Sequence, residues 1–266
     1  MTDLLVARDV AKTYFDSVAK DDVVALSGIS LSIKAHEFVS LIGPSGCGKS
    51  TFLRIVAGLD KPTSGEIVVS GKKVTGPGAD RGMVFQEYAL LPWKTTLANV
   101  EFGLRLKKTP KAERTAIAQR FVDLVGLKGF EKKYPHQLSG GMRQRAAVAR
   151  VLANNPAMLL MDEPFAAVDA MTRQRLQEEL TAITTSERTT VLFITHAIDE
   201  AVFLSDRVVA LSGRPGRIVA DLRIDLPRPR SWKSMLTDPQ FIAYRDELTR
   251  CIHGDHARPE QHVVHA

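Results

Sequence analysis

Four short runs of apolar residues recur along the chain without the strict alternation of a strand that has one face in solvent. They are FVSLI (38–42), AMLLMD (157–162), TVLFIT (190–195) and RVVALS (207–212). Valine, isoleucine, leucine and phenylalanine dominate these runs, which is typical of strands covered on both faces of a parallel sheet. We therefore expect them to form the centre of the fold.

Amphipathic segments lie between the apolar runs. In residues 171–186, Leu176, Leu180 and Ile183 are spaced by four and then three positions, which places them on one face of a helix. Alternation of such helices with buried strands predicts an α/β fold with a mainly parallel sheet.

Two other regions have a different pattern. Residues 1–37 and 66–75 show partial alternation of apolar and polar positions, which predicts an antiparallel β portion. The middle of the chain, at about 90–150, is expected to be rich in helix. One of its helices is predicted to begin with Pro110 in the first turn and to end before Gly126.

The last stretch, residues 227–266, carries four prolines and is expected to hold one helix at about 239–252 before a frayed end. The chain has a net charge of +6, and its densest basic part is LPRPRSWK at 226–233. We interpret this part as a solvated basic surface, and contact with anionic lipid is the weaker alternative. No basic block stands out, and no nucleic-acid partner is expected.

Composition limits the kind of protein. A length of 266 residues with 44% hydrophobic residues suffices for one large domain with a real core. No uninterrupted apolar stretch approaches the roughly 18–20 residues of a membrane helix, and the N-terminus lacks the pattern of a secretion signal. Cys47 and Cys251 make no disulfide framework, so we expect a cytoplasmic protein with reduced thiols.

The first candidate functional motif is GPSGCGKST at 43–51, directly after the apolar run FVSLI. The spacing of Gly43, Gly48, Lys49 and Ser50 fits the phosphate-binding loop. Glycines let backbone N–H groups approach an anion, and the helix that follows directs its positive end to the same point. Lys49 is expected to reach the β- and γ-phosphates, and the Ser50 hydroxyl to bind Mg²⁺. A glycine-rich turn without a ligand is the alternative.

Two adjacent carboxylates end the apolar run in AMLLMDEP. This position lies at the carboxyl edge of the predicted sheet, where ligands bind in open α/β folds. Asp162 is expected to hold Mg²⁺, and Glu163 to orient or deprotonate an attacking water. A surface turn with two solvated acids is the alternative.

LSGGMRQR at 138–145 predicts a second helix N-terminus. Ser139 would be the N-cap, Gly140 and Gly141 would give close access to the backbone, and the helix would run to about Ala153. The chain then has two helix ends that can bind phosphate. A symmetric dimer would explain both, if each nucleotide is held by the phosphate loop of one chain and the second loop of the other.

These motifs occur with three more: Gln86 in MVFQEYALLPW, Asp169 seven residues after Asp162, and His196 in FITHAIDEA. The whole set, in this order and over about residues 5–215, closely resembles the ATP-binding subunit of ABC transporters. Kinases and GTPases with the same phosphate loop lack LSGGMRQR, which makes the combined pattern specific.

The resemblance implies a P-loop NTPase fold with a RecA-like parallel-sheet core, an antiparallel β subdomain and an α-helical signature subdomain at about 88–153. Residues 1–226 would form the ATPase domain, and 227–266 a short C-terminal helical tail. The resemblance also implies hydrolysis of ATP with Mg²⁺ in a head-to-tail homodimer, with ATP at the interface.

The resemblance also implies roles for individual residues. Nucleotide contacts are expected from Tyr14, Gly43, Pro44, Ser45, Gly46, Cys47, Gly48, Lys49, Ser50, Thr51, Ser139, Gly140 and Gly141. The expected Mg²⁺ ligands are Ser50, Gln86 and Asp162. The residues expected to act in hydrolysis are Glu163, His196, Gln86 and Asp169. Tyr14 would stack on adenine, and Phe15 is the competing choice.

Local features indicate an importer. ALLPW, DEPFAAVDAMTR and LSGRPGRIVADLRIDLPRPR resemble the nitrate/sulfonate/taurine branch of importers. That branch implies integral membrane permease subunits and a separate solute-binding protein, with the ATPase peripheral at the cytoplasmic face of the inner membrane. Tyr88, Leu90, Leu91 and Trp93 would offer apolar contact to the permease. The alternatives are a soluble ABC ATPase acting on nucleic acid or protein complexes, and an exporter subunit.

Overall fold

Strands and helices alternate along the part of the chain that the computed structural model describes, residues 3–16, 20–85, 89–166 and 168–253. The strands are β1 (Asp3–Asp16), β2 (Asp21–Lys34), β3 (Phe38–Ile42), β4 (Ser64–Val69), β5 (Lys72–Lys73), β6 (Arg81–Val84), β7 (Met158–Asp162), β8 (Thr190–Ile194), β9 (Arg207–Leu211) and β10 (Ile218–Arg223). The helices are α1 (Lys49–Ala57), α2 (Thr96–Leu106), α3 (Lys111–Leu124), α4 (Gly140–Leu152), α5 (Ala170–Ser186), α6 (Ile198–Leu204), α7 (Trp232–Met235) and α8 (Pro239–His253).

The apolar runs pair in one sheet, whose described strands have the order β10-β9-β3-β8-β7-β6. Neighbouring strands from β9 to β6 run parallel, and β10 is added antiparallel at one edge. In β3, Phe38 and Ile42 pack into one apolar cluster, while Val39 and Leu41 pack into a second cluster on the opposite face. Because both faces are covered, the sequence of β3 does not alternate.

A second sheet is antiparallel and has the strand order β2-β1-β4-β5. Helix α1 connects the two sheets. Its Phe52, Leu53 and Val56 lie in one apolar cluster with Leu5 of β1 and Leu41 of β3. The antiparallel portion predicted from the sequence is therefore confirmed for the described residues.

Helices α2, α3 and α4 pack on one another through Leu104, Phe121 and Ala147, among other residues. Helix α3 begins at Lys111, so Pro110 is its N-cap residue and does not lie in its first turn as predicted. The φ and ψ of Pro110, −54° and 145°, are extended values that proline adopts readily just outside a helix. None of the described helices has the apolar length that a bilayer crossing requires. The parallel core, the antiparallel sheet and the helical layer together confirm the predicted fold class.

The basic stretch at 226–233 is not the solvated surface that its composition predicts. Arg230 is only 4% exposed, and its guanidinium donates to the carbonyl oxygens of Val202, Phe203 and Ser205 at 2.8–2.9 Å. These carbonyls belong to the last turn of α6 and the residue that caps it, where helix geometry leaves acceptors without partners. The prediction of a solvated surface is wrong here because the guanidinium supplies the donors that this helix end needs.

Arg228 makes a similar contact. Its Nη2 donates to the carbonyl oxygen of Leu204 at 2.7 Å and to Asp206 Oδ1 at 2.8 Å. Burial, assisted by the neighbouring charge of Arg228, lowers the pKa of Arg230 to about 10, so the Arg230 guanidinium stays charged at neutral pH. Both guanidinium groups therefore bind the C-terminal end of α6.

Aromatic contacts also attach the C-terminal segment to α6. The ring of Trp232 stacks on Phe203 of α6 with a centroid distance of 4.3 Å and an interplanar angle of 8°. Phe241 of α8 meets the same indole edge-on at 6.1 Å. The helix predicted at 239–252 is confirmed as α8, and residues 254–266 lie outside the described part of the chain.

The buried guanidinium should stabilise the fold more than an exposed one. We expect Arg230→Met to lower the free energy of unfolding by about 3 kcal/mol, because it removes charged donors from carbonyls that stay buried. The matched control is Arg245→Met, which removes a guanidinium that is 41% exposed and paired with its chain neighbour Asp246. Urea unfolding measures both. Equal midpoints for the two variants would contradict the role assigned to Arg230.

Candidate functional site

The glycine-rich segment at 43–51 forms the turn between β3 and α1, at residues 43–48, and the start of α1. Its backbone adopts left-handed conformations, with φ of 75° at Gly46 and 105° at Gly48. A Cβ atom on Gly48 would lie 2.8 Å from the carbonyl oxygen of Ala25, so only glycine fits. The N-cap residue of α1 is Gly48, and among the described residues no side chain accepts a hydrogen bond from the N–H groups of its first turn. This arrangement suits a phosphate group.

Lys49 adds a positive charge to this helix end. Its side chain is buried, and Nζ donates to the carbonyl oxygens of Gly43 (2.7 Å) and Pro44 (2.9 Å). These bonds fold the side chain across the loop and hold the ammonium group beside the start of α1. Since Pro44 has no N–H, it can support an anion only through Lys49 and the shape of the loop.

Cys47 lies beneath the loop. The residue is 1% exposed and belongs to the apolar cluster between the two sheets. Its backbone N–H donates to the carbonyl oxygen of Pro44 at 3.3 Å. The thiol is therefore packed in the core, where Lys49 Nζ approaches its sulfur at 3.9 Å.

The hydroxyl of Ser50 and the carboxylate of Asp162 meet where α1 starts and β7 ends. Ser50 Oγ donates to Asp162 Oδ1 at 2.9 Å. Burial raises the pKa of Asp162, and the hydrogen bond from Ser50 opposes this shift. Hydroxyl and carboxylate oxygens are ligands that Mg²⁺ takes beside phosphates, and a cation would offset the cost of the buried charge. The two residues therefore fit a magnesium ion.

Glu163 and His196 follow the adjacent strands β7 and β8. The parallel register pairs Asp162 with Ile194, so both residues lie at the carboxyl edge of the sheet. His196 Nδ1 lies 3.1 Å from Glu163 Oε2. Glu163 has a φ of 43°, a left-handed conformation that is uncommon for residues other than glycine and is concentrated at functional sites.

One cleft brings the phosphate loop together with residues from several strands. Its volume is about 300 Å³, and it is lined by Tyr14, Ala25, Ser45, Gly46, Gly48, Lys49, Ser50, Thr51, Glu163 and Arg214. A larger cavity, of about 580 Å³, lies at the opposite edge of the sheet, next to the beginnings of β7 and β8. None of the residues predicted for the site lines that larger cavity.

Of the two aromatic candidates, Tyr14 lines the cleft, and Phe15 does not. The Tyr14 hydroxyl donates to Asp60 Oδ2 at 2.7 Å, and Lys12 Nζ lies 4.7 Å from the centre of the ring. Burial and the hydrogen bond to Asp60 raise the pKa of Tyr14. These contacts fix the ring at the edge of the cleft, and its stacking on a base stays a prediction.

The second helix N-terminus lies outside this cleft. Ser139 caps α4 as predicted, because its Oγ accepts a hydrogen bond from the N–H of Met142 at 3.3 Å. Ser139, Gly140 and Gly141 are absent from the residues that line the cleft. Within one chain, the two helix ends therefore do not share a cavity.

Asp169 lies next to this second helix end. Its carboxylate caps α5 by accepting a hydrogen bond from the N–H of Thr172 at 3.0 Å. Hydrogen bonds from Thr172 lower the pKa of Asp169. Thr172 also touches the start of α4, since a Cβ atom on Gly141 would lie 3.1 Å from its methyl group. Gln86, the remaining predicted residue, lies outside the described part of the chain.

A buried carboxylate that the sequence analysis did not single out supports the turn before α6. Glu200 is 7% exposed and accepts a hydrogen bond from Gln177 Nε2 at 2.5 Å. Burial raises the pKa of Glu200, and a hydrogen bond from Thr195 opposes the shift. Thr195 accepts a hydrogen bond from the N–H of Ala197 at 3.0 Å, so these groups brace the residues on both sides of His196. The only sequence signal was a pair of acidic residues, Asp199 and Glu200, at the start of a helical segment that is otherwise apolar.

Comparison with known proteins shows the family to which the chain is similar. Residues 26–166 match the family model described as ABC transporter. The nitrate import ATP-binding protein NrtD of a Synechocystis species is 50% identical over 241 residues, which cover 88% of this chain and 90% of NrtD. The bicarbonate transport ATP-binding protein CmpC of Synechococcus elongatus is 46% identical over 248 residues, which cover 92% of this chain and 37% of CmpC.

A solved structure has the same architecture. It is the dimeric, post-hydrolysis form of the ATP-binding cassette MJ0796 bound to ADP and Pi. The TM-score is 0.72 at 34% sequence identity, and the match covers 84% of this chain and 100% of that one.

The buried charge of Asp162 leads to a prediction about stability. Because burial raises its pKa, the ionised carboxylate destabilises the folded chain at neutral pH, and this cost disappears as the pH falls through the raised pKa. We expect Asp162→Asn to raise Tm at pH 7.5 without Mg²⁺ by about 2–4 °C, which corresponds to roughly 1 kcal/mol after discounting for partial exposure. The difference should shrink toward pH 4.

The control is Asp169→Asn, because that carboxylate is exposed, has a lowered pKa and occupies an N-cap that asparagine also tolerates. Differential scanning fluorimetry across pH compares both variants with the wild type. An Asp162→Asn protein less stable than the wild type at pH 7.5 would contradict the assigned cost.

Proposed function

The chain belongs to the ABC transporter family, and we propose that it is the ATP-hydrolysing subunit of a membrane importer for a small solute. Its activity as an ATPase follows from the family and from the cassette bound to ADP and Pi. One observation carries the proposal for the site. The phosphate loop, the Ser50–Asp162 pair and the Glu163–His196 pair all meet at one edge of the sheet.

We propose that the phosphates bind at the start of α1. The N–H groups of the phosphate loop and the first turn would donate to phosphate oxygens, with Lys49 exchanging its carbonyl partners for the β- and γ-phosphates. Ser50 and Asp162 would hold Mg²⁺, which when bound neutralises phosphate charge. Tyr14 would contact the base, because it lines the same cleft and its hydroxyl is held by Asp60.

Glu163 is the proposed general base. It would take a proton from water while the water oxygen bonds to the γ-phosphorus and the bond to the bridging oxygen breaks. The His196 ring can direct an Nδ1 proton at the Glu163 carboxylate and so orient it. The ring is also 61% exposed, and in its other tautomer, with the proton on Nε2, it could instead donate to a γ-phosphate oxygen.

A head-to-tail homodimer would complete the site. The chain carries a second helix N-terminus at Ser139–Gly141 that does not reach its own cleft. A partner chain could direct this helix end at the γ-phosphate, and Asp169 would lie at the same junction through Thr172. The related cassette bound to ADP and Pi is dimeric.

Coupling to a permease is proposed for the helical layer. Trp93 is 71% exposed just before α2, whereas Asn99 hydrogen bonds to both backbone groups of Leu91 and fixes the adjacent turn. An exposed indole beside a fixed turn suits an apolar contact with a helix of a membrane subunit. The chain would then be a peripheral subunit at the cytoplasmic face of the inner membrane.

We propose that the solute is a small molecule with an oxyanion group. Two relatives are named for nitrate import and bicarbonate transport, and the sequence resembles a branch that also takes sulfonates such as taurine. The permease and a separate solute-binding protein would select the molecule. The nucleic-acid alternative rests on basic charge, and it loses the support of Arg228 and Arg230, whose side chains bind α6.

The Glu163→Gln variant tests the base. We expect it to bind ATP with unchanged affinity, to hydrolyse it at least 100-fold more slowly, and to form an ATP-stabilised dimer. Phosphate release and size-exclusion chromatography measure the two effects. Retention of wild-type turnover would rule out Glu163 as the base.

The same variant tests the transport role. Tagged Glu163→Gln protein, purified in detergent with ATP and Mg²⁺ from membranes of its native host, should bring a polytopic membrane protein with it. Soluble nucleic-acid-bound or ribosome-bound partners alone would contradict the transporter proposal.

Trp93→Asp tests the proposed contact with the permease. We expect solute uptake to fall at least tenfold, because a charge replaces the exposed indole, while ATP hydrolysis by the isolated subunit stays unchanged. The matched control is Leu106→Asp at the end of α2, since Leu106 is similarly exposed at 68%. Uptake in whole cells measures both. Normal uptake by the Trp93→Asp strain would exclude this surface.

A further inference from the structure

The turn SGRPGR at 212–217 connects β9 and β10, and a plain turn does not require its two arginines. Its ends are tied together, because the N–H of Ser212 donates to the carbonyl oxygen of Arg217 at 2.8 Å. The Ser212 hydroxyl accepts from the N–H of Arg217 at 3.1 Å and donates to the carbonyl oxygen of Pro215 at 3.1 Å. The turn therefore has a fixed shape.

This turn packs directly on the phosphate loop. The N–H of Gly216 donates to the carbonyl oxygen of Ala25, and the carbonyl oxygen of Gly216 accepts from the N–H of Ser27, both at 3.0 Å. A Cβ atom on Gly216 would lie 2.2 Å from the carbonyl oxygen of Cys47. Because no side chain fits there, the two backbones touch, and the turn is held in place relative to the loop.

The fixed turn presents Arg214 to the cleft. Arg214 lines it together with Tyr14, Ala25, Ser45 and Gly46. Its side chain is exposed, and it makes no hydrogen bond or ion pair with another described residue. Its guanidinium is therefore available to a ligand in the cleft.

Sheet topology determines the direction from which Arg214 approaches. Strand β9 pairs with β3 on the side opposite to β8, and β7 lies beyond β8. Glu163 and His196 follow β7 and β8, so they flank the phosphate loop on one side. Arg214 follows β9 and flanks it on the other side, where Ala25 of β2 also contacts the turn.

We propose that Arg214 binds the nucleotide at its α-phosphate, which ATP and ADP share. A guanidinium matches two phosphate oxygens in a bidentate contact, and here it adds a cation on the side of the loop away from the hydrolytic pair. The inference rests on the proposed nucleotide site and adds to it a residue for which the sequence analysis gave no role in nucleotide binding.

The test compares nucleotide affinities of the full chain by titration calorimetry. We expect Arg214→Ala to weaken binding of MgADP and of a non-hydrolysable ATP analogue by similar factors, about five- to tenfold. Adenosine, which has no phosphate, should bind both proteins alike. The KM for ATP should rise by a similar factor with kcat unchanged, and Arg214→Lys should recover part of the loss.

The matched control is Arg217→Ala, which removes the same charge from the same turn but at a residue that does not line the cleft. Its affinities should equal those of the wild type. Wild-type affinity for MgADP in Arg214→Ala, or an equal loss in Arg217→Ala, would overturn the inference. A loss confined to the ATP analogue would overturn it too. A wild-type chain that fails to bind MgADP would instead overturn the proposed nucleotide site itself.

Discussion

Direct contact between backbones fixes the position of the phosphate loop, and the site depends on it. Glycines make these contacts possible, because a Cβ atom on Gly43, Gly48 or Gly216 would lie within 2.8 Å of a carbonyl oxygen. The loop is thereby held against Ala25 of β2, Leu211 of β9 and the β9–β10 turn. This holds the start of α1 in place, and with it the N–H groups, Lys49 and Ser50. Larger residues at these glycines would move the whole anion-binding surface.

Charge at the site is arranged at a cost to stability. Asp162 ionises less readily because it is buried, and Glu163 has an uncommon backbone conformation right after it. The parallel pairing of β7 with β8 holds Asp162 and Glu163 at the edge of the sheet. It also brings His196 to the Glu163 carboxylate. The rigid sheet therefore stabilises an arrangement that its own residues disfavour, and a cation with a polyphosphate would relieve much of that cost.

Features that depend on residues close together in sequence could be predicted. Contacts between residues far apart in sequence could not. Burial on both faces removes alternation from β3, and a serine before two glycines caps α4, so both could be predicted from short segments. Tyr14, by contrast, is fixed by Asp60, which is 46 positions away. The arginines of LPRPRSWK have the local pattern of a solvated surface, and nothing nearby in sequence shows that Arg230 binds a helix end 25–28 positions earlier.

The binding of Arg230 and Trp232 to α6 links the C-terminal segment mechanically to the turn that carries His196, one of the residues proposed to act in hydrolysis. Helix α6 begins two residues after His196, and its other end is held by the guanidinium and the indole. A force on α8 would therefore reach the turn that carries His196 through one short helix. A domain attached beyond α8 could therefore change the rate of ATP hydrolysis through α6. It would not need a binding site of its own near the nucleotide.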